Sequence, residues 1–262
     1  MTGLASFDLS TLALLAAIYA ASAVFSGLSG FGFSAIGALT LCVVPPQFGV
    51  CMLMVLSVLT QAMSLGTLRA ELRAHNARWQ KGFLPYAAGG ILGLPLGLEI
   101  LARSPARPLV WFLGALLFGY AVYNVFKPRA LRLATTDTSL GGALAVGAIG
   151  GIVGGFSAFP GSALVVWSGL KDVPKEHARA LIQPFILVMQ VIALSIVACA
   201  RPALFDLRLL TLLVAALPLV WAGNRIGLAL YRRSSQVNYR IVTLAALGIS
   251  GLSLVLKATF FA

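Results

Sequence analysis

Seven acidic residues, two histidines and three cysteines are the side chains in this 262-residue chain best suited to acid–base, nucleophilic or metal chemistry. Asp8, Glu71, Asp137, Asp172, Glu176 and Asp206 fall near the ends of apolar stretches or between them, and Glu99 alone sits within one. His75 and His177 lie in or beside basic clusters. No HExxH, CxxC or paired-carboxylate arrangement occurs inside an uncharged stretch, so a hydrolase or metalloenzyme within the membrane has no machinery. Cys42, Cys51 and Cys199 sit in apolar runs with no repeated spacing. They read as small buried hydrophobes rather than disulfide partners or zinc ligands. The expectation is a protein that is not an enzyme and holds no metal or cofactor.

What remains is chemistry of a different kind, done by backbone, hydroxyls and amides. Two glycine-rich stretches carry it: Ser26-Gly27-Leu28-Ser29-Gly30-Phe31-Gly32-Phe33-Ser34, and Gly150-Gly151-Ile152-Val153-Gly154-Gly155-Phe156-Ser157-Ala158-Phe159-Pro160-Gly161. If each breaks a helix inside a bilayer, a second arm starts at about Gly32 and about Gly155. Its free N–H groups and positive helix end would attract an anion. Gly30, Gly32, Gly154 and Gly155 then permit positive φ or close backbone approach. Ser29, Ser34, Ser157 and Ser162 add hydroxyls beside the turns, and Gln61, Gln183 and Gln190 offer amides from the helices that follow. Serines in membrane helices also bond their own backbone, which is the plainer role for each of them. Asn224-Arg225, between Gly223 and Gly227, is the most pointed polar pair. Arg225 either attracts an anionic substrate or snorkels to the interface beside Arg232 and Arg233. Phe31, Phe33, Phe156 and Phe159 surround the turns, as packing residues or as a lining for an apolar tail.

These groups need elements to hold them, and composition names the solvent of those elements. Apolar residues make up 60% of the chain and charged residues 10%, with a mean hydropathy of +0.96; a soluble domain is roughly 25% charged. The solvent is lipid. The net charge of +12 is spread over short loop clusters rather than a basic surface, which excludes nucleic acid as a partner. Uncharged runs cover 9–68, 82–98, 108–126, 138–170, 180–200, 209–224 and 241–256, and a spanning helix needs about 20 residues. Met1 to Leu9 holds no Lys or Arg, so a cleavable signal peptide is not expected and the first run stays in place.

Val44-Pro45-Pro46-Gln47 divides the first run, since two prolines stop a helix. Ser10–Val43 and 138–170 remain too long for one crossing, and both are interrupted by glycines costing about 1 kcal/mol each in a helix. Irregular backbone at membrane depth survives where protein buries it or it lines a cavity. Close helix packing through small residues is the competing reading of the same glycines. The stretches also match each other. Gly32-Phe33-Ser34-Ala35 recurs as Gly155-Phe156-Ser157-Ala158, 123 residues on, and Gly93-x-x-x-Gly97 recurs as Gly223-x-x-x-Gly227, 130 residues on. Pro46 and Gln61 have counterparts near Pro174 and Gln190.

Positive charge orients the repeat. If each broken segment returns to its starting side and the N-terminus lies outside, Arg69, Arg73, Arg78, Lys81, Lys127, Arg129, Arg132, Lys171, Lys175, Arg179, Arg232, Arg233 and Arg240 fall inside, against Arg103, Arg107, Arg201, Arg208 and Lys257 outside. Eight full crossings leave almost no bias, so the first arrangement obeys the positive-inside rule. Three net crossings per copy invert the second copy. The predicted fold is an all-α polytopic membrane protein of two inverted repeats. Each is a glycine-broken re-entrant hairpin, or long broken helix, with about 15 residues per arm, followed by three transmembrane helices, making about eight segments. The copies are 1–126 and 139–262, joined by a cytoplasmic linker at 127–138.

The hairpins, with Pro45-Pro46 and Gly90-Ile91-Leu92-Gly93-Leu94-Pro95-Leu96-Gly97 and their second-half counterparts, resemble the sulfite exporter TauE/SafE family, also called the toluene-sulfonate uptake permease family. The resemblance covers essentially the whole chain. Phe156-Ser157 departs from it where many members carry further glycine. It implies a multi-pass protein of the bacterial inner membrane that moves sulfite, sulfoacetate or other organosulfonates, in either direction. A secondary transporter binding its anion between the two broken helices is therefore expected. A passive anion channel is the alternative, and a structural subunit of a larger complex a third reading. The lipid bilayer and a small anion are the expected partners, with room for a proton or sodium coupling ion and for a homo-oligomer. Single cysteines replacing Arg78 and Arg132, or placed beside Lys175 and Arg233, are expected to label only from the cytoplasm, and those beside Arg103 or Arg208 only from outside. Opposite labelling at Arg78 and Lys175 would restore the eight-crossing arrangement.

Overall fold

A computed structural model describes residues 8–67, 69, 73, 82–126, 139–171 and 173–260. The expected linker at 127–138 lies outside these residues, as do Glu71, His75, Arg78, Lys81, Lys127, Arg129, Arg132, Asp137 and Asp172. The described elements are all helical: α1 (Leu9–Ser29), α2 (Gly32–Gly37), a 3-10 turn (Ala38–Cys42), α3 (Pro46–Thr67), α4 (Leu84–Arg103), α5 (Ala106–Phe126), α6 (Leu140–Ser157), α7 (Gly161–Leu170), α8 (Lys175–Ala200), a second 3-10 turn (Pro202–Leu204), α9 (Leu207–Arg233) and α10 (Gln236–Phe260). Six of them, α1, α3, α4, α6, α8 and α9, are long and apolar enough to cross a membrane. The chain is an integral multi-pass membrane protein.

Local chemistry sets the helix ends. The Asp8 carboxylate accepts from the Thr11 amide at 3.2 Å, Ser139 from Gly142 at 3.1 Å and Asp206 from Leu209 at 2.9 Å, each satisfying an N–H orphaned at a helix start. Hydrogen bonds from Ser10 and Thr11 hold the Asp8 carboxyl below its usual range. Glu99, the acid that stood alone in an apolar stretch, lies near the exposed end of α4 and pairs with Arg103 one turn on.

Among the described residues the eight expected segments appear as ten α-helices because each broken segment supplies two, and the arms are unequal. First arms of 21 and 18 residues measure about 31 and 27 Å, close to a full bilayer core. The returning arms are an α2 of 6 residues with its 3-10 turn of 5, and an α7 of 10. The second break is also not where the glycines suggested. Helix α6 runs through Gly150–Gly155 to Ser157 and stops at Ala158-Phe159-Pro160. In hydrocarbon no water competes for glycine's backbone bonds, so propensity loses. Pro160 lacks an N–H and restricts the residue before it, so the proline ends the helix.

This placement changes the repeat register. Ser29-Gly30-Phe31 and Ser157-Ala158-Phe159 occupy matching positions 128 residues apart, and Gly30 and Ala158 both adopt left-handed φ, at 83° and 58°. The literal match of Gly32-Phe33-Ser34-Ala35 to Gly155-Phe156-Ser157-Ala158 pairs a returning arm with the end of a first arm. It is a coincidence of composition.

Helices pack in reciprocal pairs: α1 with α9, α4 with α6, α5 with α10 and α3 with α8. Glycines spaced by four let α4 and α6 touch backbone to backbone. A Cβ at Gly89, Gly93 or Gly97 would come within 2.0–2.2 Å of the carbonyl oxygens of Leu144, Ala148 and Ile152. One at Gly147 or Gly151 would come as close to those of Tyr86 and Gly90. The contacts advance together, so the two helices run parallel. Helices α1 and α9 cross in the same way, with a Cβ at Gly227 falling 2.0 Å from Val24 O. Gly93→Val or Gly227→Val is expected to destabilise by about 3 kcal/mol or more. Gly66→Val and Gly119→Val, where nothing lies within 4 Å of the added Cβ, should stay within about 1 kcal/mol. Melting and monodisperse yield in detergent check the contrast, and equal behaviour of all four would refute it.

Candidate functional site

A helix that stops within the buried core leaves its last carbonyls unbonded, and each must find a donor. Three side chains from α3 and α8 supply four such bonds at the two breaks. Gln61 Nε2 donates to Gly30 O at 3.0 Å, and Gln190 Nε2 donates to Ala158 O at 3.0 Å. These two amides hold the two left-handed residues in the same way. Arg179 donates from Nη2 to Gly27 O at 2.9 Å and from Nη1 to Leu28 O at 3.2 Å, with its guanidinium 4.2 Å above the Tyr231 ring. The cation sits at the negative end of the α1 dipole, where a positive charge is favourable.

Serines finish the turns. Ser29 Oγ donates to Phe25 O at 2.7 Å and accepts from Gly32 N at 2.8 Å and Phe31 N at 3.3 Å. Ser157 Oγ donates to Val153 O at 2.6 Å and accepts from Phe159 N at 3.3 Å. Both therefore bond their own backbone, and the Gly32 N–H expected to face an anion is taken by Ser29. The two breaks also touch. Ser34 Oγ donates to Ala158 O, and the Phe31 and Phe159 rings stack with centroids 6.4 Å apart.

The breaks gather Ser29, Gly30, Gly32, Ser34, Gln61, Gln183, Ser157 and Gln190. Gln183 packs beside Gly30, where an added Cβ would lie 3.2 Å from its Nε2. Its side chain is 0% exposed, and neither amide atom has a hydrogen-bond partner among the described residues. The same holds for the Oε1 atoms of Gln61 and Gln190.

Other expected residues lie elsewhere. Gly154 packs against the Pro160 ring and Gly155 against the Gly97 backbone, both within α6, so no second arm begins at Gly155. Ser162 sits with Leu117 and Tyr120 on the side facing α5. Asn224 is buried at the α1–α9 crossing, its Oδ1 accepting from Ser64 at 3.3 Å. Arg225 is on the exposed face of α9 with its guanidinium 5.4 Å from the Trp221 ring, outside the glutamine cluster. The buried cation is instead Arg179, 2% exposed, which the charge count had placed in a cytoplasmic loop. Its spacing was the available signal: Arg179, Gln183 and Gln190 share one face of a helix starting at Lys175. Likewise Ser57, Thr60, Gln61 and Ser64 form a buried polar stripe along α3, with Ser26 Oγ donating to Thr60 Oγ1 at 3.1 Å.

A separate cavity of about 430 Å³ opens between the N-terminal end of α3 and the C-terminal halves of α4 and α8, lined by Gln47, Cys51, Leu98, Glu99 and Arg201 among others. Arg201 Nη1 donates to Gln47 Oε1 there at 3.0 Å.

No curated protein and no solved structure matches the chain. The family described as sulfite exporter TauE/SafE matches residues 14–254, from α1 to α10. With paired broken helices, reciprocal glycine crossings and a match over nearly its whole length, the chain belongs to the sulfite exporter TauE/SafE family.

Proposed function

We propose that this protein is a secondary transporter, not an enzyme, that moves a small sulfur oxyanion or organosulfonate across the bacterial inner membrane. The observation that carries this reading is the cluster of buried, unpartnered amide atoms where the two breaks meet, in an interior with one buried charged side chain, Arg179, among the described residues. Buried polar atoms without partners are costly, and a ligand that satisfies them gains the difference. The family's export of sulfite supports the substrate class.

Residues 1–126 and 139–262 are read as two inverted copies joined through 127–138. The matching turns at Ser29-Gly30-Phe31 and Ser157-Ala158-Phe159 support this, as do the reciprocal pairs α1–α9 and α4–α6. Both of those pairs run parallel while α5 and α10 run antiparallel, as three net crossings per copy require. Rocking of one hairpin against the other would expose the glutamine cluster to each side in turn. Either a proton or a sodium ion could couple to that motion.

In proteoliposomes holding the full chain, sulfite flux is expected to saturate and to respond to an imposed proton or sodium gradient. Flux that rises linearly and ignores both gradients would identify a passive channel. Arg179→Gln should lower flux at least about tenfold, while Arg225→Gln should stay within about twofold. Equal loss in the two variants would return Arg225 to the site.

A further inference from the structure

We propose that the anion taken by this site must also donate a hydrogen bond, so that the site prefers a hydroxyl- or ammonium-bearing sulfonate, or hydrogensulfite, over sulfite dianion or a donor-free sulfonate. The inference rests on the transporter reading above and narrows its substrate. Its ground is the sign of the unpartnered atoms. The amides of Gln61 and Gln190 have a determined orientation, because turning either one over would set oxygen against the carbonyl of Gly30 or Ala158. Each therefore holds a carbonyl oxygen, Oε1, with no partner among the described residues, at 0% and 1% residue exposure. Gln183 adds a third carbonyl oxygen and one NH₂ group, also unpartnered.

An anion built only of acceptors can use the Gln183 NH₂ group and the second N–H of the Gln61 amide, but it still sets its negative charge against up to three carbonyl oxygens. A ligand with both an oxyanion and an O–H or N–H group meets both kinds of atom. The layout suits a short molecule with two different ends. Gln61 and Gln183 both reach Gly30, and Gln190 stands two turns along α8 from Gln183, about 10 Å by helical rise. Sites that hydrogen-bond a substrate hydroxyl discriminate strongly against the analogue lacking it, because their own polar atoms are then left unpaired.

The test compares 2-hydroxyethanesulfonate with ethanesulfonate as competitors of radiolabelled sulfite flux, at one fixed pH, in proteoliposomes of the full chain. The two carry the same charge and differ by one hydroxyl. The hydroxyl compound is expected to compete at least about tenfold better. Gln183→Met, which breaks no hydrogen bond of the described structure, should shrink that ratio to within about threefold. A wild-type ratio near one overturns the inference whatever the variant does; if flux then also requires sodium, the carbonyl oxygens serve a cation instead. A ratio left unchanged by a folded Gln183→Met protein overturns the role of Gln183. Sulfite flux that neither sulfonate inhibits overturns the inference alone, whereas absence of any sulfite flux overturns the transporter reading with it.

Discussion

The need to satisfy backbone carbonyls at two points where helices stop within the buried core governs the interior of this protein. Gly27, Leu28, Gly30 and Ala158 present oxygens that water would otherwise bond, and Arg179, Gln61, Ser34 and Gln190 take that place. Each donor comes from an element other than the one it serves. The breaks therefore exist only in the assembled bundle, held by α3 and α8, and neither hairpin is a self-sufficient unit. This is how irregular backbone survives at membrane depth.

Close approach of the flanking helices makes that reach feasible. The glycines of α4 and α6, spaced by four, bring the two backbones into direct contact, and Gly27 meets Gly227 between α1 and α9. In lipid no hydrophobic force drives helices together, so dispersion and weak Cα–H···O contacts between close backbones must do so. Of these glycines, Gly27, Gly151 and Gly155 looked like breaks and act as seams. Where a break does occur, serine closes the turn and a left-handed residue follows it, glycine in one case and alanine in the other.

The two halves are alike in backbone and unlike in polarity. If Gln61 is set against Gln190, then Arg179 and Gln183 of α8 face the places of Val50 and Met54 in α3, both buried and apolar. The cation and Gln183, whose two amide atoms are both unpartnered among the described residues, thus belong to one half alone. On the proposed transport reading, a duplicated frame would supply the symmetry that an alternating mechanism needs, and the departure from it a binding surface with a sense of direction.

Much of this was legible in the residues. Composition set lipid as the solvent, charge clusters marked the loops, and Pro45-Pro46 marked the start of α3. Gln61, Gln183, Gln190, Ser29 and Ser34 could be picked out because polar side chains in an uncharged run must have a purpose or a partner. What the residues alone left open was direction and partnership. Whether a glycine breaks a helix or seats one depends on what lies across from it, as Gly155 against Gly97 illustrates. Arg225 looked interior because its neighbours are apolar, yet it faces outward over Trp221; Arg179 looked like loop and is buried. A single chain position carries its helical phase only relative to other helices, and the phase of α8 and α9 is set by packing against α3 and α1. Sequence by itself determined which polar groups stand in the uncharged runs, and tertiary packing decided which of them meet at the two breaks.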